Sequence, residues 1–507
     1  KVLVLDGVSL SLLTVVPKGK RRYGWAVIGA AVILVVVWFF LPEGDSEGWR
    51  HYTFDEEAAE VNERYGVPDD ENAAPFYYQL EPTDLSEVVF TGPEGEKTGP
   101  RVWDPNGETQ LEPWRAEEFP KVAAWLETER EKIAPFFEAV EYDKCWFEVT
   151  SDPNILLKFW DRAGNTKRAA LVINRLIYQD LGRGDIQGAI DKVTDMLQCS
   201  YHYQQQGSRV DCLVGWAIGG IARKCARDIF VNYSLDEGQM RVLEKEVSRF
   251  ERDWEESIVR MLAYEKVIAK NLLGRFFEVN EQGDVRLTRE PVTAEDIYKI
   301  LLPPLCEYIE EPSGYWQARK NRLRRFIYKM TYNESIGELA ETLDKVYGDY
   351  RERLVDEQLD YRGPQEWLGL LKYDLSTETL MRLYFEINIP AYRQIYNLYG
   401  RVETETNATL IVAVLKRYKE ENGQWPESIE PIREVLPDGI FSEPRRIVYK
   451  KPDNYDSFIL YSVGFDGVDD GGRSGLDKET GKRRDDYLFW PFNRDELEDV
   501  TEAGSGE

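Results

Sequence analysis

The densest concentration of residues able to do chemistry lies near the C-terminus. A strand-like run, Phe458-Ile459-Leu460-Tyr461-Ser462-Val463, opens into Gly464-Phe465-Asp466-Gly467-Val468-Asp469-Asp470-Gly471-Gly472, and Asp485-Asp486-Tyr487 follow downstream. Carboxylates this close repel one another unless solvent or a bound cation screens them. The interspersed glycines let the backbone curl so that side-chain and carbonyl oxygens converge. An oxygen-only donor set suits a hard cation, Ca²⁺ before Mg²⁺. Asp466, Asp469, Asp470, Asp485 and Asp486 are the candidate metal ligands, and a solvated acidic hairpin loop is the competing reading of the same spacing.

Upstream, an amphipathic segment from Thr406 to Asn422 runs into Glu421-Asn422-Gly423-Gln424-Trp425-Pro426. Taken in order, the helix end, the Asn-Gly-Gln-Trp-Pro turn, the Tyr461-Ser462-Val463-Gly464-Phe465-Asp466-Gly467 strand exit and the Asp485-Asp486 closure resemble the globular C-terminal domain of type II secretion major pseudopilins. The resemblance covers residues 403–492. It implies a helix packed on a small antiparallel sheet with a Ca²⁺ loop, in which Asp466 and the Asp485–Asp486 pair are ligands and carbonyls near Leu460–Val463 complete the shell. Two features depart from that family. No leader or Phe-Thr-Leu-x-Glu start precedes Trp25, and the loop from Asp466 to Asp485 is long and carries Arg473, Lys478, Lys482, Arg483 and Arg484. The module is therefore expected outside a pseudopilus. A second arrangement stays open, since Asp466, Asp470, Gly471, Ser474 and Asp477 fall at EF-hand positions 1, 5, 6, 9 and 12, although a strand precedes them instead of a helix.

Other chemistries find less support. The chain has only 2 histidines, His51 and His202, and neither sits at a metal-ligand spacing. His202 is expected to be a partly buried residue at a helix end. No G-x-S-x-G accompanies it, and the run Gly475 to Arg483 misses a P-loop by one residue, with Arg483 where Ser or Thr must hold Mg²⁺. With 92 Asp and Glu, some carboxylate pair will always fit a glycoside-hydrolase separation, so their abundance is no signal. Cys145, Cys199, Cys212, Cys225 and Cys306 form no C-x-x-C pair and read as small buried residues.

The elements that must position the loop begin far from it. Tyr23 to Pro42 carries no charge, spans about 26–30 Å as a helix, and follows Lys18, Lys20, Arg21 and Arg22. It predicts an uncleaved single-pass anchor in the cytoplasmic membrane, N-terminus inside and the bulk of the chain extracytoplasmic. Residues 43–115 read as an acidic stalk, because 43–97 hold 16 acids against 3 bases and are broken by Pro68, Pro75, Pro82 and Pro93; a short helix is expected near Phe54–Tyr65. From 116 to 402 the periodicity is helical. Ala169, Val172, Ile173, Leu176 and Ile177 form one stripe, and Ala189, Ile190, Val193 and Leu197 the next. The Gly-Asp turn between them is similar to a tetratricopeptide (TPR) hairpin, without a continuing 34-residue period. The uncharged run Cys212 to Ala222 is too short to span a membrane and reads as a tightly packed core helix.

The expected fold is thus mainly α, antiparallel helical hairpins followed by a C-terminal α+β domain over 403–492, with a tail of 1–22, an anchor of 23–42 and an acidic end of 493–507. That order also resembles a group of membrane-anchored proteins of planctomycete-type bacteria with no known activity. A net charge of −28 argues against nucleic acid as the main partner. The basic cluster Arg319, Lys320, Arg322, Arg324, Arg325 and Lys329 reads as pairing with acidic helices or as a docking patch for an anionic envelope polymer. The leading expectation is a non-enzymatic, membrane-anchored protein with a helical interaction surface for a protein or cell-envelope partner and a structural Ca²⁺, serving envelope organisation or secretion. The alternative is an envelope hydrolase using carboxylates of the helical body.

Overall fold

The computed structural model describes residues 48–83, 85, 108–151, 155–249, 253–274, 277–287, 336–352, 380–436, 446–452, 456–464, 467–476 and 483–491. The described chain is mainly helical. In order it contains β1 (Trp49–His51), α1 (Asp55–Tyr65), the short α2 (Ala74–Tyr77), α3 (Pro120–Val140), α4 (Ile155–Arg183), α5 (Ile186–Gln204), α6 (Arg209–Asn232), α7 (Glu237–Val247) and α8 (Trp254–Gly274). There follow β2 (Phe277–Asn280), β3 (Val285–Leu287), α9 (Ile336–Arg351), α10 (Leu380–Asn422), β4 (Ile447–Lys450), β5 (Ile459–Ser462), β6 (Ser474–Leu476), β7 (Arg483–Asp485) and β8 (Tyr487–Trp490). No described helix is long and apolar enough to cross a membrane. The expected anchor, the basic cluster, Cys306 and the acidic tail lie outside the described residues.

Helices α4 and α5 form where two apolar stripes are separated by a turn. Gly184, at φ +78°, ends α4, and Asp185 caps α5 by accepting from the Gly188 N–H at 2.9 Å. Both stripes are buried in one core that also holds α3, α6, α7 and the second half of α10. The small residues of α6 have a specific use. A Cβ at Gly215 would stand 2.7 Å from Tyr203 Cβ and 2.9 Å from the Ser200 carbonyl oxygen, so α6 lies against α5 almost backbone to backbone. Cys145, Cys199, Cys212 and Cys225 are buried and unbridged.

Residues 48–83 are not a stalk. Strand β1 pairs antiparallel with β2, Arg50 opposite Val279, closing a sheet of order β1-β2-β3. Helix α1, where a short helix was expected, turns Asp55, Glu56, Glu60 and Glu63 to solvent and buries Ala58 and Val61 against Trp146, Val149, Tyr264 and Val267. Tyr77 is fully buried among Phe136, Phe147, His202 and Tyr203. Asn72 ties the segment down by accepting from the Trp146 and Ala74 N–H groups and donating to the Trp146 carbonyl. Asp69, Asp70, Glu71 and Glu81 are likewise exposed, while Glu57 pairs with buried Lys270 at 2.7 Å.

The expected boundary at 402/403 likewise falls inside one continuous helix. Nothing between Tyr399 and Asn407 breaks α10, and its Glu405 is buried against α6, Oε2 3.1 Å from Arg223 Nη2 and Oε1 3.1 Å from Arg227 Nη2. Arg227 also donates to Thr409 Oγ1 at 2.8 Å. Burial works against the Glu405 charge, but Arg223 and Arg227 overcome it and hold the carboxyl below its usual range. Helix α10 therefore belongs at once to the helical body and to the C-terminal sheet.

Gly423, at φ +76°, ends α10 by donating to the Lys419 carbonyl at 2.7 Å. The chain then turns Trp425 inward, where its ring lies 4.8 Å from Phe458 with the Lys419 ammonium 4.5 Å above it. The antiparallel sheet of order β4-β5-β8 has two faces. Ile447, Leu460, Phe489 and Trp490 join the helical core, while Ile459, Tyr461, Val463, Val448 and Leu488 form a second cluster on the other side.

Candidate metal centre

The acidic loop lies across that second face. Four of its glycines (464, 467, 471 and 472) have φ between +67° and +82°, which side-chain-bearing residues adopt at a cost. Gly472 also needs to be small, since a Cβ there would stand 3.3 Å from the Tyr461 ring and 3.4 Å from Leu488. The loop leads into the β6–β7 hairpin, in which Ser474 stands opposite Asp485. That return brings the next residue, Asp486, beneath the loop.

Asp486 is 1% exposed. Its Oδ2 accepts from the Asp470 N–H at 2.9 Å and from the Gly472 N–H at 2.7 Å. Its Oδ1 is buried with no hydrogen-bond partner, as is Oδ2 of Asp470. Burial pushes the Asp486 carboxyl up to about 6 against those two N–H donors, with Asp469 and Asp470 adding to the rise. Asp469 sits at the rim. Some burial raises its pKa, but the Tyr461 hydroxyl at 2.7 Å and the Gly471 N–H at 3.0 Å prevail and hold it below the ordinary value.

Two buried carboxylate oxygens without hydrogen-bond partners, Oδ2 of Asp470 and Oδ1 of Asp486, on residues joined through the Asp470 N–H, fit a hard divalent cation. Asp470 and Asp486 would hold it, and its charge would offset theirs. Among the described residues no group of three or more His, Cys, Asp or Glu side chains is gathered for a metal. Asp466 and the side chain of Asp485 lie outside the described residues. Two details of the expected ligand set change. Strand β5 is paired along both edges, with β4 and β8, so of the expected Leu460–Val463 carbonyls only that of Val463 lies beyond the paired strand. The EF-hand alternative loses its second helix, because Ser474 begins a β-hairpin.

Sequence reasoning missed Tyr461. It stands on the outer face of β5, fully buried, and orients Asp469. The period-2 alternation of Ile459, Tyr461 and Val463 against Phe458, Leu460 and Ser462 was the available signal.

In the helical body Asp211 is held by Arg162 at 2.5 Å, with the Arg162 guanidinium 3.5 Å from the Phe147 ring centroid, and Glu405 by its two arginines, while buried Asp228 accepts from Asn232 Nδ2 at 2.6 Å. His202 is in the last turn of α5, the helix end expected, but it is fully buried instead of partly, because the 74–78 segment folds over it. Its Nδ1 lies 2.9 Å from the Tyr77 hydroxyl and its Nε2 2.9 Å from the Tyr142 carbonyl. Nε2 also lies 2.8 Å from the Gln198 side-chain amide, and because the Tyr142 carbonyl can only accept, an Nε2–H tautomer leaves Nδ1 to accept from the Tyr77 O–H. Desolvation lowers its pKa to about 4.

Comparison with protein-family models, with curated proteins and with solved structures finds no match to this chain.

Proposed function

We propose that this is a membrane-anchored extracytoplasmic protein without catalytic activity, in which the helical body is an interaction surface for a protein or cell-envelope partner. The C-terminal module, similar to a major pseudopilin's globular domain, is stabilised by Ca²⁺. The observation that carries the metal reading is the pair of buried, unpartnered oxygens on Asp470 and Asp486 under a glycine-rich loop. A role in envelope organisation or secretion accords with the anchor expected at 23–42, the acidic surface and the two-part architecture.

Because α10 is shared by body and sheet, the test uses the full chain in detergent micelles. Extracellular Ca²⁺ modules bind at roughly 0.1–1 mM. If this one reaches about 0.01–0.1 mM, 1 mM Ca²⁺ stabilises it by about 1.4–2.7 kcal/mol. The Tm should rise with Ca²⁺ over chelator, and the rise should disappear in an Asp470→Asn/Asp486→Asn double variant. Equal Tm values in the wild type would remove the cation. A reporter fused after Glu507 should be active only outside the cytoplasm, and cytoplasmic activity would reverse the proposed orientation.

A further inference from the structure

Strand β8 has one face toward the acidic loop and the other toward the helical body. Asp486, just before it, and Leu488 within it meet the loop, through the Asp470 and Gly472 N–H groups and the close approach of Gly472 to Leu488. The alternate residues meet the helices. The Arg401 guanidinium of α10 lies 3.9 Å from the Tyr487 ring centroid, and Arg227 of α6 lies 5.8 Å from that of Phe489, which is fully buried. Tyr487 and Phe489 contact each other edge to face at 5.0 Å. Arg227 is in turn held by Glu405 and Thr409 of α10. A contiguous set of contacts therefore runs from the loop carboxylate through four consecutive residues, 486–489, to the ion cluster between α6 and α10.

We propose that the acidic loop is a cation-operated latch, in which a divalent cation bound at Asp470 and Asp486 sets how tightly the C-terminal sheet is held on α6 and α10 through strand β8. This rests on the metal reading above and adds to it a consequence for the helical body. Without a cation, the carboxylates of Asp469 and Asp470 bear electrostatically on that of buried Asp486, whose Oδ1 has no hydrogen-bond partner. Their repulsion is relieved if the loop lifts and releases the two N–H bonds that hold Asp486. The start of β8 then loses its anchor, and Tyr487 is the first residue to leave its helix contact. With a cation bound, the closed loop fixes Asp486, and through it the placement of Tyr487 under Arg401. Coupling of this kind is reciprocal, so weakening the helix contact must weaken cation binding.

Reciprocity gives a test whose sign separates the latch from plain electrostatics. Arg401 is an exposed residue on α10, so Arg401→Ala should fold. Removing a positive charge near a cation site tightens cation binding or leaves it alone by Coulomb's law. The latch predicts the reverse, Ca²⁺ affinity lowered about two- to five-fold, the size of an exposed cation–π contact. Titration calorimetry of the full-length wild type and Arg401→Ala reads the difference, and Phe489→Leu, which removes the ring that Arg227 faces, should act in the same direction. Unchanged or tighter binding in Arg401→Ala overturns the latch and leaves the metal site standing. No Ca²⁺ binding by the wild type removes the metal reading and the latch with it. Hydrogen exchange gives a second readout. Ca²⁺ should slow exchange across residues 223–232 and 401–412 as well as in the sheet, whereas protection confined to 446–491 sinks the proposal.

Discussion

Glu405 and His202 show how single buried polar groups discipline this fold. Glu405 neutralises two guanidinium groups that are each at most 3% exposed. Glu405→Gln leaves excess positive charge in the core and should cost about 3–5 kcal/mol, read as a loss in chemical denaturation. Adding Arg223→Met should recover part of that loss, because the stranded charge is what destabilises. His202 sets part of the acid limit. Its folded pKa of about 4 lies below the ordinary 6.5, so the unfolded chain takes up the proton first as pH falls. Stability it supports above pH 6.5 is lost through the window from 6.5 to 4, by about 3 kcal/mol at the lower end. With only 2 histidines in the chain, ring resonances assigned by a His51→Gln variant give a direct check. A resonance for His202 titrating near 6.5 would contradict its burial. Asp195 acts in the opposite sense. Burial first, then Asp191 and Glu141, push it up to about 7 from 3.8. Its contribution is fully present below pH 3.8 and lost as pH rises through 7, so Asp195→Asn should raise Tm at pH 8 and leave it nearly unchanged at pH 3.5.

At the scale of elements, the two glycine types in the helices respond oppositely to the same change. Gly164 of α4 has open space around a built Cβ, so Gly164→Ala should stabilise by about 0.5–1 kcal/mol through helix propensity alone. Gly215 of α6 faces the α5 backbone, where overpacking of about 1–3 kcal/mol outweighs that gain. Gly215→Ala should therefore lower Tm while Gly164→Ala raises it; equal responses would contradict the close α5–α6 approach. The helices themselves were legible because Ala169 to Ile177 and Ala189 to Leu197 repeat at helical spacing, with Asp185 as a cap between them. The length of α10 was not. The resemblance set a boundary at 402/403, whereas Thr404, Thr406 and Thr409 turn their hydroxyls back to carbonyls four residues earlier and continue the helix. The acidic loop could be found from its density of Asp and Gly, but not the identity of its buried carboxylate. Asp486 is buried because β8 pairs with β5 across an intervening hairpin, and no local pattern encodes that long-range register.

For the whole molecule, replacing a stalk with a folded segment changes where the body stands. The acids between 43 and 97 suggested a spacer, yet Trp49 is already in a strand paired with β2. Only seven peptide links separate Pro42, the end of the expected anchor, from Trp49, and fully extended they reach about 25 Å. If 23–42 is a membrane anchor, the β1-β2-β3 sheet lies within that distance of the bilayer surface, in place of a body lifted clear of it. The hairpin between β2 and β3, with Glu281, Gly283 and Asp284 exposed, is the marker for this face. Its acids give it no attraction of its own for anionic headgroups, so proximity would come from the tether alone and should persist at high salt. Full-length protein labelled at Glu281→Cys and reconstituted with acceptor-labelled lipid should transfer energy strongly at both 50 mM and 500 mM salt. The four described cysteines are buried and should stay unlabelled in the folded protein. Weak transfer at both salt concentrations would mean that the body does not follow the tether, and either the anchor assigned to 23–42 or the placement of β1 would have to be given up.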